Sequence, residues 1–231
     1  MDIGKSFTFV FEDDAWITKI LIAAAILFLG VFFSWLLLIP LILAVALLNG
    51  YMVEIIRQVV RGQVDGLPEW DNWGDLIAEG LKVLVIQIVY ALPIIIASCC
   101  LIIPAAAAES SEGLSVFLSL ILSCFMVLWA ILMTLVLPAA TAIYAATDDL
   151  AAAFRFGEVF ALVRDNLSTY LITLVMSWVA SFLGGLGGVV CGLGSFLTAP
   201  YGYMVTGHLY AQAYVASTTP PAQPAFEEEV E

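Results

Sequence analysis

The sequence predicts an all-α membrane protein: a polytopic helix bundle of about six transmembrane helices arranged as three hairpins, each preceded by an amphipathic interfacial segment. Hydrophobic residues make up 63% of the 231 residues, charged residues only 12%, and the mean hydropathy is +1.06. A soluble domain of this size needs far more polar surface. Several apolar runs exceed the roughly 18 residues that mark a membrane helix. Amphipathic segments alternate with pairs of these runs. Each amphipathic segment is therefore followed by one helix that crosses the membrane and a second helix that returns.

A single membrane domain is predicted over residues 1–216. The apolar run 20–53 would be about 50 Å long as one helix, whereas a bilayer core is roughly 30 Å thick. We therefore divide it into two helices that turn near residues 35–40. The acidic tail, 217–231, has the composition of a disordered, solvated segment. The six predicted spans are 16–35, 38–58, 81–104, 114–147, 170–191 and 196–216.

The basic residues predict the orientation of the chain. In the six-span arrangement all seven lysines and arginines fall on one side, which the positive-inside rule assigns to the cytoplasm. Both termini are then cytoplasmic. Residues 1–14 lack the basic start of a signal peptide, so we expect the first helix to be retained. The basic residues are Lys5, Lys19, Arg57, Arg61, Lys82, Arg155 and Arg164.

The formal net charge of −13 limits the classes of partner. An acidic surface does not favour nucleic acid or electrostatic docking on anionic lipid. It is compatible with a basic protein partner or with cations. A halophilic source or simple solvation would explain the same balance.

The polar stretch 67–82, LPEWDNWGDLIAEGLK, separates two strongly apolar regions. Asp71 or Asn72 can cap the helix that follows, and the carboxylate of Asp75 suits the positive N-terminal end of that helix's dipole. Trp70 and Trp73 suit the headgroup layer, which indicates an interfacial lead-in to the third span. The alternative is a recognition surface formed by Asp71, Trp73 and Asp75.

This stretch and its flanks carry a family resemblance. The segments GYMVEIIRQVVRGQVDGLPEWDNWGDLIAEGLKVL (50–84), FRFGEVFALVRDN (154–166) and FLTAPYGYMVTGHLYAQAY (196–214) resemble the prokaryotic integral-membrane family catalogued as domain of unknown function 4013. The resemblance implies a multi-pass protein of the prokaryotic cell membrane. It implies no particular activity, ligand or residue role.

The motifs of common enzymes and metal sites are missing from the sequence. There is no HExxH, GxSxG or Walker glycine loop. One histidine is too few for bis-histidine haem or for a di-iron carboxylate–histidine site. The four cysteines lie in apolar runs without ligand spacing and are expected to be small buried hydrophobes. We therefore expect no catalytic residues, no metal and no cofactor.

Three polar residues fall inside predicted spans: His208, Gln87 and Asn49. Hydrogen bonds between helices are the first interpretation for Gln87 and Asn49, and contact with a solute is the second. His208 is expected to be a hydrogen-bonded packing residue, with a proton relay or a ligand contact as the alternative.

Gly184, Gly188 and Gly192 are spaced by four residues. On one helix they would form a smooth face that lets another backbone come close. That face is a candidate for packing within the chain or for docking of another subunit.

These observations predict a non-enzymatic integral membrane protein, embedded in the lipid bilayer. Its expected role is that of a structural or accessory subunit that packs against other membrane proteins or against its own copies. The alternative is a small-solute or lipid transporter, or another lipid-handling protein, and an enzyme is third. A continuous polar cavity reaching Gln87 or His208 would favour transport.

Overall fold

The structure is a computed structural model, and it describes residues 1–35, 38–63, 66–107, 112–189 and 192–219. Within these ranges the chain forms α-helices and short 3-10 turns without any β-strand. The α-helices are α1 (Ile3–Thr8), α2 (Trp16–Phe32), α3 (Ile39–Val60), α4 (Trp73–Ala107), α5 (Glu112–Thr147), α6 (Phe156–Asp165), α7 (Leu167–Leu186) and α8 (Ser195–Thr218). The 3-10 turns are Phe9–Glu12, Ala152–Phe154 and Gly187–Val189.

Four helical segments in the described part of the chain are long and apolar enough to cross a membrane. The count becomes five if α1 with its 3-10 turn and α2, which meet at a bend of 95°, form one broken span. Alone, α2 has 17 residues, and α8 is less apolar than the other long helices. These helices indicate that the chain is a multi-pass helical membrane protein. The four segments are Ile39–Val60, Trp73–Cys100, Val116–Thr147 and Leu167–Val189.

The long helices pack mainly against their neighbours in the sequence, and α8 also packs against α2, α3 and α5. The largest buried cluster joins the second half of α3, the first half of α4 and the second half of α5 to α6, α7 and α8. Val53, Val83, Ala140 and Tyr144 are fully buried there. None of the described side chains in 91–100 and 116–131 is buried. These parts of α4 and α5 therefore extend beyond the buried cluster as a pair of helices.

The N-terminal segment 3–12 packs into the structure beside α8. Ser6, Phe9 and Val10 are buried, and α1 packs against α8. The Tyr201 hydroxyl of α8 donates to the Phe7 carbonyl at 2.9 Å. The apolar residues of this segment therefore fill space beside α8.

Residues 73–82 of the predicted lead-in and the third span form one continuous helix, α4, whose 35 residues measure about 52 Å. The predicted fifth span, 170–191, overlaps the candidate span Leu167–Val189, in which α7 ends at Leu186 and a 3-10 turn follows. The acidic tail lies outside the described residues after Thr219.

The predicted burial of the cysteines is wrong for the three that the structure describes. Cys99, Cys100 and Cys124 are exposed on the α4–α5 pair. Cys191 lies outside the described residues.

Candidate functional site

The central segment, residues 66–72, connects α3 to α4 and runs over the surface of α3. Its ends have left-handed backbone conformations, with φ of +77° at Gly66 and +48° at Asn72. The Asn72 carbonyl accepts the backbone N–H groups of Asp75 at 2.8 Å and Leu76 at 3.1 Å. Asn72 therefore caps α4 through its backbone, at the place where a side-chain cap was predicted.

Trp70 and Trp73 occupy different environments. Trp70 stacks on Tyr51 of α3, with ring centroids 4.0 Å apart and 7° between the planes, and its indole N–H donates to the Lys19 carbonyl at 3.2 Å. The Tyr51 hydroxyl donates to the Pro68 carbonyl at 2.8 Å. Trp73 is 45% exposed. Trp70 thus fastens the central segment to α3, while Trp73 is the ring that can meet a headgroup layer.

Lys19 holds the central segment from the side of α2. Its side chain is buried, and its ammonium group lies 2.8 Å from the Asp13 carboxylate and 2.6 Å from the Glu69 carboxylate. It also donates to the Leu67 carbonyl at 2.8 Å. The same Asp13 oxygen accepts the Leu67 backbone N–H at 3.0 Å. One cation therefore joins α2, Asp13 shortly before that helix, and the central segment.

The environment of Asp13 favours its charged form. Burial acts to raise the pKa of Asp13, but hydrogen bonds from Lys19 and from the N–H groups of Leu67 and Ala15 outweigh it, so the pKa lies below its ordinary value. From the sequence, Lys19 was predicted only to be a basic residue on one side of the membrane. A lysine inside an apolar run between two acidic stretches was the available signal of such a pairing.

We expect Asp13→Asn to lower stability by about 1–3 kcal/mol at neutral pH, because charge-assisted hydrogen bonds are lost. A lowered pKa stabilises the fold above the ordinary carboxyl pKa near 4, and this contribution disappears as the pH falls through the folded-state pKa. The difference between the two proteins should therefore shrink below about pH 4. Melting temperatures in detergent across pH 3–7 measure this, with the exposed neighbour Asp14→Asn as control. A difference that does not change with pH would contradict the assignment.

Arg57 of α3 forms the second ionic cluster. Its guanidinium lies 2.8 Å from Glu79 of α4 and 2.7 Å from Asp148, just after α5. Glu79 also accepts a hydrogen bond from the Tyr144 hydroxyl, and the Lys82 ammonium group lies 2.7 Å from it. The cluster ties the end of α3 to the start of α4 and the end of α5. Glu54, one turn before Arg57 on α3, lies farther from the guanidinium, at 3.9 Å.

A cleft of about 610 Å³ opens between the central segment, α3 and α4. Five carboxylates and one guanidinium line it, so it attracts cations or basic segments. Asp71 and Asp75, two of the three residues of the predicted recognition surface, are among them, and Trp73 is not. No group of three or more metal-ligand side chains in the described part of the chain is arranged to hold a metal ion. The charged residues that line this acidic cleft are Glu54, Glu69, Asp71, Asp75, Glu79 and Arg57.

Asn49 and Gln87 are brought together inside the bundle. The Gln87 side-chain N–H donates to the Asn49 side-chain oxygen at 3.3 Å. The Tyr203 hydroxyl of α8 donates to the same oxygen. Asn49 is fully buried. Three helices thus share one polar contact, in which Tyr203 is the member that sequence analysis did not select.

His208 lies elsewhere, between α8 and α1. It is fully buried, its Nδ1 atom is 3.0 Å from the Ser6 hydroxyl, and its ring stacks on Phe9 with centroids 4.3 Å apart. Neither His208 nor Gln87 lines the acidic cleft.

The three predicted glycines do not share one helix face. Gly184 is buried in α7, where an added Cβ would contact the α8 backbone at Ala199, 3.4 Å away. Gly188 lies in the 3-10 turn, and Gly192 has a φ of +74° in the connection to α8. The change of backbone conformation after Leu186 separates them.

A closer helix contact joins α3 to α4 at Gly50 and Gly80. A Cβ added at Gly80 would overlap the Ala46 carbonyl, and one added at Gly50 would overlap the Leu76 carbonyl. Ala46 and Gly50 are four residues apart, which is the small-residue spacing that permits close helix packing in membranes. That spacing was the available signal in the sequence.

The helices and their apolar surfaces define a multi-pass, all-helical membrane protein. The chain belongs to the family described as protein of unknown function (DUF4013), whose model matches residues 32–193, well over half of the chain. No curated protein and no solved structure matches it.

Proposed function

We propose that the chain is a non-enzymatic accessory subunit that packs against other membrane proteins in a prokaryotic cell membrane. In this proposal α2, α3, α4, α5, α7 and α8 span the membrane as three hairpins. Both termini and the acidic cleft face the cytoplasm.

The α4–α5 pair is the observation that carries the proposal. Its outer halves, 91–100 and 116–131, have no buried side chain among those described. Large apolar side chains such as Ile96, Leu120 and Leu128 are exposed along it. In a bilayer this surface meets lipid or another helix, and two helices without further cover offer a long face to a neighbour.

The ionic contacts support the proposed orientation. Lys19 and Arg57 connect the start of α2, the central segment, the end of α3 and the end of α5. These ends therefore lie on one side of the bundle. The positive-inside rule favours the cytoplasm for the side that holds the basic residues.

The same contacts favour binding over catalysis. The buried or largely buried charges of Lys19, Arg57 and Glu79 stabilise the fold through one another and through neighbouring acids. The exposed carboxylates of Asp71 and Asp75 remain in the acidic cleft as a surface that complements a basic segment of a partner.

Purification from native membranes in mild detergent, followed by mass spectrometry, tests the proposal. We expect a defined membrane protein, or a second copy of the chain, to be retained in a fixed ratio. Ile96→Ala with Leu120→Ala should release it, whereas Leu171→Ala with Val175→Ala, which are also exposed but lie on α7, should not. A monodisperse monomer without a retained partner would contradict the proposal.

A transporter of small solutes or lipids, or another lipid-handling protein, is the second candidate. The contact between Asn49, Gln87 and Tyr203 favours it, because polar groups inside a bundle often mark a solute path. Uptake or lipid-transfer activity in reconstituted vesicles, lost on removal of these groups, would distinguish it from the accessory subunit.

A further inference from the structure

A groove of about 630 Å³ lies where the C-terminal ends of α3 and α8 meet the first residues of the chain. We call it the terminal groove. Its floor is apolar, because Val59 of α3 and Val215 and Ala216 of α8 form it. Apolar surface of this kind is unfavourable in water, so an occupant that carries an apolar side chain fits the groove.

Hydrogen bonds hold the wall of the groove on the side of α1. The Asp2 backbone N–H donates to the Gln212 side-chain oxygen at 2.7 Å, and the Gln212 side-chain N–H donates to the Asp2 carbonyl at 2.9 Å. The Asp2 carboxylate accepts the Lys5 backbone N–H at 3.0 Å and so caps α1. Both α1 and α3 pack against α8. A segment of chain can therefore enter the groove without rearranging this wall.

The continuation of the same chain begins at the groove. Thr219, the last residue that the structure describes, lines it and has extended backbone, with φ of −84° and ψ of 123°. Residues 220–231, PPAQPAFEEEVE, follow, and Phe226 is their one aromatic residue. Residues 220–226 span at most about 25 Å when extended, so Phe226 can return to the groove. A tether this short gives an effective concentration on the order of millimolar, which favours this segment over a separate partner.

The charges near the groove suit an acidic segment. Lys5 lines the groove, and the exposed Arg61 precedes Gly62 of its wall. The Lys5 ammonium group also lies 2.5 Å from the Glu12 carboxylate, so a further carboxylate would share this cation. The acidic cleft, which α3 lines as well, would repel the glutamates at 227–229. The terminal groove is therefore the more favourable place for them.

We propose that residues 220–231 dock in the terminal groove of their own chain. The Phe226 ring packs against Val59 and Val215, and the glutamates at 227–229 lie beside Lys5 and Arg61. The docked segment covers the apolar floor and keeps other molecules out, and its release exposes this surface. The inference goes beyond the accessory role proposed above and does not depend on it.

Disulfide cross-linking within the full chain tests the inference, in mild detergent and with the four native cysteines replaced. Gln63→Cys places a thiol at an exposed position beside Gly62 of the groove wall, and Ala225→Cys places one beside Phe226. We expect diamide to join these thiols within one chain, as measured by the loss of maleimide labelling. Asp71→Cys with Ala225→Cys, at the acidic cleft, should react at least tenfold more slowly.

A variant of the tail separates docking from chance encounters. Phe226→Ser should slow the cross-link from position 63 by about tenfold or more, because burial of a phenylalanine side chain favours the docked state by this order. Val230→Ser is the matched control in the same segment and should leave the rate unchanged. Molar salt should also slow the reaction, since it screens exposed charge pairs. Both substitutions lie beyond Thr219, so the helix bundle itself is unaltered.

Several results would overturn the inference. Equal cross-linking rates with Phe226 and with Phe226→Ser would show that the tail does not dock, as would occupation of the groove by detergent or lipid. Equal rates for the partners at 63 and 71 would show that it samples the surface at random. Disulfides formed only between two chains would assign the groove to a second copy. A rate that does not change with salt would contradict the pairing of the glutamates with Lys5 and Arg61.

Discussion

Gly80→Ala is expected to destabilise the protein by about 3 kcal/mol or more, although it adds a single methyl group. The added Cβ would overlap the backbone carbonyl of Ala46, so α3 and α4 would have to separate. A backbone carbonyl inside a helix cannot rotate away as a side chain can. The separation would also disturb the neighbouring contact of Gly50 with Leu76. Thermal unfolding in detergent, followed by tryptophan fluorescence, measures the loss.

Gly74→Ala is the matched control for this prediction. It makes the same change on the same helix, but an added Cβ there meets nothing within 4 Å. We expect unchanged or slightly higher stability, because alanine is the better helix former. If both variants melt at the same temperature, α3 and α4 do not cross as closely as the structure shows.

Arg57→Met is expected to cost about 2–4 kcal/mol. The side chains of Arg57 and Glu79 are each only 16% exposed, and removal of one partner of a largely buried pair leaves the other charge poorly solvated. The change also removes the link from α3 to Asp148 at the end of α5. Methionine retains much of the packing of the arginine stem, so the loss reports mainly on the charge. Chemical or thermal unfolding in detergent gives its size.

Arg164→Met provides the comparison for a surface ion pair. Arg164 and Asp165 are 79% and 60% exposed, and such pairs contribute less than about 1 kcal/mol. We therefore expect little change in melting temperature. Equal losses for the two variants would show that the Arg57 cluster is not an organising contact of the bundle.

Much of the helical architecture could be predicted because apolar runs and bilayer thickness restrict the solutions. The family resemblance followed from motifs such as PEWDNWG, and the family model matches the chain over 32–193. The path of 3–12 beside α8 could not be predicted, because Phe9 and Val10 suit an interface as well as a core. The 3-10 turn at Gly187–Val189 was also missed, since regular glycine spacing is equally compatible with a continued helix.

The site was less predictable than the fold, because it depends on contacts between residues distant in the sequence. Asp71 and Asp75 were selected from their motif, and they do line the acidic cleft. Lys19 was predicted only as a basic residue, and no role was predicted for Glu79, because their partners come from other segments. The role of Tyr203 depends on the approach of α8 to Asn49, and no local pattern encodes that approach.

The topology of the chain is the central claim, and cysteine labelling in intact cells tests it most directly. On a background in which the four native cysteines are replaced, Asp71→Cys and Ser111→Cys place one thiol in the central segment and one between α4 and α5. Position 71 avoids the left-handed backbone of Asn72, where a new side chain would be strained. A membrane-impermeant maleimide should label position 111 from outside, and position 71 only after the cells are opened. Labelling of both positions from outside, or of 71 alone, would contradict the six-span arrangement with cytoplasmic termini.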